Sequence, residues 1–300
     1  MPTPAPPHTK GVLCGMLTAI SYGTNPLFAL PMLAAGIGVN SILFYRYFFA
    51  AALYGAFLLI IKKRSLRLRW REGATLLILA LLFSFSSIAL FSSFEYIDAG
   101  ISCTLLFVYP SLVALLSALF YGEKLSRDIV VAIIASGAGV ALLARGDSEL
   151  QPQAGLGICY ALISALLYAL YIVGVRHAKH LRRVRSDKLN FYIMLFGFLI
   201  YVINLDFCTK LQGLPSSFLW GCALLLALIP TIFSLETLTL AIKLIGPTRA
   251  AILGALEPLT AMVIGIALFG EQLSGRIAAG FALIIAGVLV VVARKQPAKK

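Results

Sequence analysis

Residues 109–126 read YPSLVALLSALFYGEKLS and residues 257–274 read EPLTAMVIGIALFGEQLS. In each, a proline in second place is followed twelve residues later by Gly-Glu-x-Leu-Ser, with no charge in between. Pro110, Gly122, Glu123, Leu125, Ser126 and, farther on, Gly139 match Pro258, Gly270, Glu271, Leu273, Ser274 and Gly287 at a constant offset of 148. Ungapped agreement at one offset marks an internal repeat, so the chain is built from two related halves.

The composition says where those halves sit. Of 300 residues, 60% are hydrophobic and 12% charged, with mean hydropathy +0.95; soluble domains carry roughly 25% charged residues. Uncharged runs at 73–94, 99–122, 150–175 and 211–235 are long enough to cross about 30 Å of hydrocarbon. The pattern predicts an all-α integral membrane protein with ten transmembrane helices. They fall near 11–33, 39–61, 72–94, 99–121, 128–144, 152–176, 189–206, 216–243, 247–270 and 276–293. The fifth, seventh and tenth are close to the shortest length that spans a bilayer.

Charge assigns the orientation. With a cytoplasmic N-terminus, the inner loops hold Lys62, Lys63, Arg64, Arg67, Arg69 and Arg71, then Lys124 and Arg127. Next come Arg176, Lys179, Arg182, Arg183, Arg185 and Lys188, then Lys243 and Arg249. Lys10 and the tail (Arg294, Lys295, Lys299, Lys300) bring the inner total to 21, against Arg145, Lys210 and Arg276 outside. This positive-inside bias puts both termini in the cytoplasm. An odd number of helices per half then forces two inverted five-helix repeats, 10–146 and 152–294. The loop after the second helix is basic, whereas its counterpart after the seventh holds only Lys210. The net charge of +13 therefore reads as topogenic loops beside anionic headgroups, not as a nucleic-acid surface. No cleavable signal peptide is expected ahead of the first helix.

These features together resemble the drug/metabolite transporter superfamily, in particular the EamA-domain family of ten-helix carriers. The resemblance runs from about Lys10 to Arg294 as two tandem EamA domains. It rests on Arg46-Tyr47-Phe48 in the second helix, on the two Pro-(x)11-Gly-Glu-x-Leu blocks, and on Glu257-Pro258, similar to the family's Glu-Pro in the ninth helix. The first block has Tyr109-Pro110 in its place, so the halves differ chemically. The resemblance implies a substrate path between the halves, with helices five and ten packed away from it. Ala135 and Gly139, and Ala282 and Ala286, carry small residues at four-residue spacing, which suits close helix packing. Packing within one chain and a homodimer contact both fit.

Charges inside the hydrocarbon are costly and mark candidate sites. Arg46 sits about 10 Å below the outer surface and Glu257 about 15 Å from the inner one, at 1.5 Å per residue. In one reading Arg46 grips a substrate carboxylate and Glu257 holds a cationic group or a proton. In the other the two neutralise each other, or Arg46 snorkels outward. Glu236 is expected to pair with Lys243 or Arg249 near the inner face. Thr18, Tyr22 and Asn25 share a face of the first helix. Ser164, Tyr168 and Tyr171 repeat that spacing 146 residues later. The two sets suit opposite walls of one central cavity, unless the hydroxyls bond their own backbone. The substrate-binding set is Arg46, Glu257, Tyr22, Asn25, Tyr168 and Tyr171. Pro26, Pro31, Pro110, Pro230 and Pro258 should break or bend their helices. Glu123 and Glu271 read as loop anchors.

Much is excluded. The five cysteines lack metal-ligand spacing and an even count, so neither a disulfide framework nor a metal is expected. Phosphate-loop, HExxH and Gly-x-Ser-x-Gly strings are missing, and His8, His177 and His180 lie at the tail or inner loop. No cofactor and no enzymatic activity are expected. Without an ATP site the carrier is facilitative or gradient-driven, with protons as a candidate coupling ion. From the family come a bacterial-type plasma membrane, outward transport and a small metabolite. One cation and one anion at similar depth suit a zwitterion such as an amino acid. An aromatic or cationic compound exporter is the alternative; a membrane enzyme, a scramblase and a scaffold are rivals of other classes.

Overall fold

A computed structural model describes residues 7–97, 99–123, 125–144, 154–269 and 275–293. Among them the secondary structure is helical throughout. The first expected span is split into α1 (Pro7–Tyr22) and α2 (Asn25–Ala34), and the second is α3 (Val39–Ala56) running into a π turn, Phe57–Ile61. Then follow α4 (Trp70–Ser93), α5 (Ala99–Leu106), α6 (Tyr109–Tyr121), α7 (Arg127–Ala144), α8 (Ala154–His177) and α9 (Ser186–Asn204). α10 (Ser217–Ala227) joins α11 (Ser234–Ile245) through a second π turn, Leu228–Phe233. α12 (Pro247–Leu253), α13 (Leu256–Phe269) and α14 (Gly275–Ala293) complete the chain. Among the described residues, five stretches are long and apolar enough to cross a membrane: Val39–Ile61, Trp70–Ser93, Ala154–His177, Ser186–Asn204 and Ser217–Ile245.

The prolines explain the breaks. Pro26, Pro110 and Pro258 each stand in the first turn of a new helix, α2, α6 and α13. A missing N–H costs nothing there and the fixed φ suits the helix start. Gly23-Thr24, Phe107-Val108 and Gly254-Ala255 form the gaps. Pro230 lies within the π turn, and the Leu226 carbonyl four residues before it is taken by the Thr231 hydroxyl at 2.7 Å. Pro31 stays inside α2, which continues past it. Gly122 ends α6 with φ +65°, the left-handed C-cap that glycine adopts without strain. That accounts for the glycine of the repeated Gly-Glu; its counterpart Gly270 lies outside the described residues.

The repeat is visible in the packing. A Cβ added to Gly139 in α7 would stand 2.7 Å from the Gly280 carbonyl and 2.8 Å from Ile284 of α14. A Cβ added to Gly287 would stand 2.9 Å from the Ala132 carbonyl and 2.2 Å from Ser136 Oγ. Residues 132, 136 and 139 become 280, 284 and 287 at the offset of 148, so the contacts exchange under a two-fold operation. As position rises along α7 its contacts descend along α14, so the two helices run antiparallel. Their small residues meet within one chain. α4 against α8, α1 against α11 and α3 against α9 also pack across the boundary between the halves.

The basic loops gather on one face. Lys188 donates to the Arg67 carbonyl and Tyr192 to that of Leu66. Lys243 donates to Val184 at 3.0 Å and Arg176 to the Lys243 carbonyl at 2.9 Å. Glu123 accepts from Thr248 at 3.3 Å and lies 3.6 Å from His177, an anchor as expected; Glu271 lies outside the described residues. On the far face Gln212 meets Ser41 at 3.2 Å and Tyr45 at 3.0 Å, and Lys210 pairs with Asp206.

Candidate functional site

Three helix breaks meet at one place between the faces. The α1–α2 gap packs on the first turn of α13: a Cβ at Gly23 would lie 2.6 Å from the Glu257 carbonyl and 2.9 Å from Thr260 Cβ. Tyr109, which opens α6, reaches the α12–α13 gap, and its hydroxyl occupies the space a Cβ at Gly254 would need, 1.6 Å away. Around this junction lies a small cleft. Tyr22, Gly23, Asn25 and Pro26 form one side, Glu257 and Pro258 another, and Leu90, Phe94, Cys103 and Leu106 close it.

Two pairs of repeat-equivalent residues touch here, which places the approximate two-fold axis at the cleft. Tyr109 donates to Glu257 Oε1 at 3.4 Å, and the two are 148 residues apart. Tyr22 stacks on Tyr168, 146 residues on, with ring centroids 6.0 Å apart and an interplanar angle of 10°. Asymmetry at such an axis is chemically decisive, because the phenol of one half becomes the hydrogen-bond donor to the acid of the other.

The six expected binding residues divide. Tyr22, Asn25 and Glu257 line the cleft. Asn25 is 3% exposed and neither its Oδ1 nor its Nδ2 has a partner, a cost only a ligand or water relieves. Tyr168 backs the cleft, edge-on to Tyr109 at 4.8 Å. Tyr171 turns away towards Phe83 at 4.9 Å.

Arg46 is fully buried, so the snorkelling reading falls. Its Nε donates to Thr231 Oγ1 at 2.6 Å and Nη2 to the Pro230 carbonyl at 3.3 Å, both in the π turn. Nη1 has no partner. The guanidinium stands 5.7–5.9 Å from the rings of Tyr22, Tyr47 and Phe91, a cation–π cage that offsets part of its desolvation. Arg46 and Glu257 form no ion pair with each other. The mutual-neutralisation reading therefore falls as well. Tyr22 thus stands beside Arg46 and lines the same cleft as Glu257.

Thr18 and Ser164 leave the cavity set. The Thr18 hydroxyl lies 2.8 Å from the Cys14 carbonyl of its own helix and 2.8 Å from the Thr237 hydroxyl, bonding the one and clasping α1 to α11 through the other. Ser164 donates to the Ser86 carbonyl at 2.8 Å, clasping α8 to α4. The periodicity located a helix face correctly but not which neighbour it meets. Glu236 finds its partners in the Tyr54 hydroxyl and in Asn190 Nδ2 at 2.8 Å, not in Lys243, which turns to Val184. Sequence reasoning missed Tyr109, Cys103, Leu90 and Phe94. Only Tyr109 carried a signal, as the counterpart of Glu257.

The family model described as the EamA-like transporter family matches residues 9–145 and 155–293. A protein of Archaeoglobus fulgidus named "Uncharacterized transporter" is 29% identical over 279 residues, covering 92% of this chain and 93% of its own. "Uncharacterized transporter sll1319" of Synechocystis is 29% identical over 189 residues, 60% of this chain and 55% of its own. A protein of known crystal structure superposes with a TM-score of 0.78 at 19% identity, covering 94% of this chain and 96% of the other, which shows a shared fold.

Proposed function

The chain belongs to the EamA-like transporter family, and from that premise we propose that it is a secondary carrier of small zwitterionic metabolites, amino acids or their derivatives. The reading has ten transmembrane helices as two inverted repeats, with both termini and the basic face in the cytoplasm of a bacterial-type plasma membrane. The antiparallel exchange of α7 and α14 and the contact between the 62–71 and 184–192 segments support that orientation. Access alternates between the two faces about the cleft at the helix breaks, and net movement is outward, following the family.

The observation that carries the substrate class is the arrangement of Arg46, Tyr22 and Glu257. The Arg46 guanidinium, with Nη1 unpartnered, stands 5.9 Å from the Tyr22 ring. Tyr22 shares the cleft lining with the buried Glu257, and the two charges do not pair with each other. Each buried charge lacks its counterion, which is costly in a low-dielectric site. A zwitterion supplies both counterions at once, its carboxylate to Arg46 and its ammonium to Glu257, while Asn25 gains hydrogen bonds. Aromatic and aliphatic side chains around Glu257, including Phe94, Leu90 and Leu106, favour a second reading as an exporter of aromatic cations, for which Arg46 is dispensable.

Counterflow of radiolabelled amino acids into proteoliposomes tests this. Glu257→Gln and Arg46→Gln both abolish exchange if the substrate is a zwitterion. Arg46→Gln alone spared, with competition by an aromatic cation, selects the second reading. Normal counterflow in folded Glu257→Gln protein ends the assignment of this site.

A further inference from the structure

We infer that α2 is a movable gate on the outer side of the cleft and that Gln212 is the latch that holds it shut. The inference goes beyond the substrate assignment and rests on the transport reading for naming that side outer. α2 begins in the wall of the cleft with Asn25 and Pro26 and ends about 15 Å farther on, at 1.5 Å per residue. The cleft extends towards the same side. Leu90, which also lines it, stands about 30 Å along α4 from Trp70, which follows the basic 62–71 loop.

α2 has a hinge at each end and little to fasten it between them. Gly23-Thr24 interrupts the helix before it. After it Gly36 takes φ +78° and the Ile37 amide returns to the Met32 carbonyl at 3.1 Å, the glycine cap that ends a helix abruptly. Of the ten residues NPLFALPMLA only Asn25 is polar, and its amide has no partner. What remains is apolar packing on α10, α13 and α3, which is non-directional and allows a short rod to swing.

The directional hold comes from Gln212, on the connection between α9 and α10. Its backbone N–H donates to Ser41 Oγ at 3.2 Å and its carbonyl accepts from the Tyr45 hydroxyl at 3.0 Å. These bonds seat it on α3. Its side chain then grips the turn that ends α2: Oε1 accepts from the Gly38 amide, and Nε2 donates to the Gly36 carbonyl at 3.4 Å. Gln212 is exposed, so water can replace the two side-chain bonds at small net cost, as a latch that opens requires. The connection itself is firmly set. Asp206, Phe207 and Cys208 have φ of +48°, +54° and +69°, a left-handed run that such residues adopt only where their surroundings impose it. The Phe207 amide donates to the Val202 carbonyl at 2.9 Å, and Lys210 pairs with Asp206 at 2.6 Å. The latch is thus mounted on α9 and α3 and stays behind when α2 moves. Opening breaks its side-chain bonds, pivots α2 about Gly23-Thr24 and uncovers the cleft, a hinge motion of the usual kind.

The test uses the full chain with Cys103, which lines the cleft, as its only cysteine, in intact cells treated with an impermeant maleimide. Gln212→Ala should speed Cys103 labelling about tenfold, the factor carried by two exposed neutral hydrogen bonds. A wild-type rate overturns the inference, as does acceleration only when the reagent is admitted to the basic side. If Gln212→Ala does not assemble, the double variant Ser41→Ala, Tyr45→Phe, which unseats Gln212, decides: faster labelling supports the latch and an unchanged rate overturns it. A second measurement locks the gate. A Cβ at Gly38 would lie 3.2 Å from Gln212 Oε1, so Gly38→Cys and Gln212→Cys, in a chain otherwise free of cysteine, can be joined by a short bifunctional thiosulfonate. Joining them should cut counterflow of radiolabelled amino acids in proteoliposomes about tenfold or more until a reductant releases the bridge; undiminished counterflow overturns the inference. If wild-type protein shows no counterflow, the transport reading fails while the Cys103 labelling rate still decides whether α2 gates the cleft.

Discussion

Replacing Gly254 with alanine is the most incisive test of the packed junction. The added methyl would stand 1.6 Å from the Tyr109 hydroxyl oxygen and 2.8 Å from Tyr109 Cζ, so the tyrosine must move. Overpacking of this kind costs about 1–3 kcal/mol. Displacement also breaks the Tyr109–Glu257 bond, worth about 0.5–1.5 kcal/mol net, and more where the acceptor is ionised. Tyr109→Phe alone loses only the bond and should cost about 1 kcal/mol. In the double variant the colliding oxygen is gone, so the combined loss should fall short of the sum by about 1 kcal/mol or more, as expected for residues in contact. Thermal unfolding in detergent of the wild type, both single variants and the double variant measures the cycle, with counterflow run in parallel. Gly254→Ala protein with wild-type melting, or strictly additive losses, refutes the geometry on which the cleft is built.

Thr231→Val removes the acceptor of Arg46 Nε and the donor to the Leu226 carbonyl together. It should destabilise by about 1–3 kcal/mol and raise the KM for a carboxylate substrate more than for a cationic one, read by thermal shift and transport kinetics. Gly287→Leu drives a large side chain into Ser136 and the Ala132 carbonyl; a loss of about 1–3 kcal/mol or more in detergent is expected, whereas leucine tolerated there would refute the antiparallel contact. In a variant whose only cysteine is Cys103, a saturating amino acid should slow thiol labelling, because Cys103 lines the cleft with Glu257; an unaffected rate argues against binding there. Impermeant reagents on intact cells should reach a cysteine placed at Lys210 but neither one at Arg67 nor one at Arg183. Opposite accessibility of the last two would dismantle the inverted topology.

The linear order of residues determined a great deal. Sparse charge, long apolar runs and loop lysines and arginines set the helical membrane class, because lipid leaves few ways to satisfy a backbone. The 148-residue offset located the repeat, and depth along helices picked out Arg46 and Glu257. Tertiary structure decided the remainder. Helical periodicity defines a face but not its neighbour, so only packing could send Thr18 and Ser164 into helix clasps and Tyr171 away from the cleft. Prolines announced disturbance, yet whether it became a full break, a π turn or an intact helix depended on which groups claimed the freed carbonyls. The meeting of Tyr109 with Glu257 across the approximate axis, and the failure of Arg46 and Glu257 to pair, depend on distances between segments far apart in the chain. Such distances are fixed by how the helices fill space together, which no local pattern encodes.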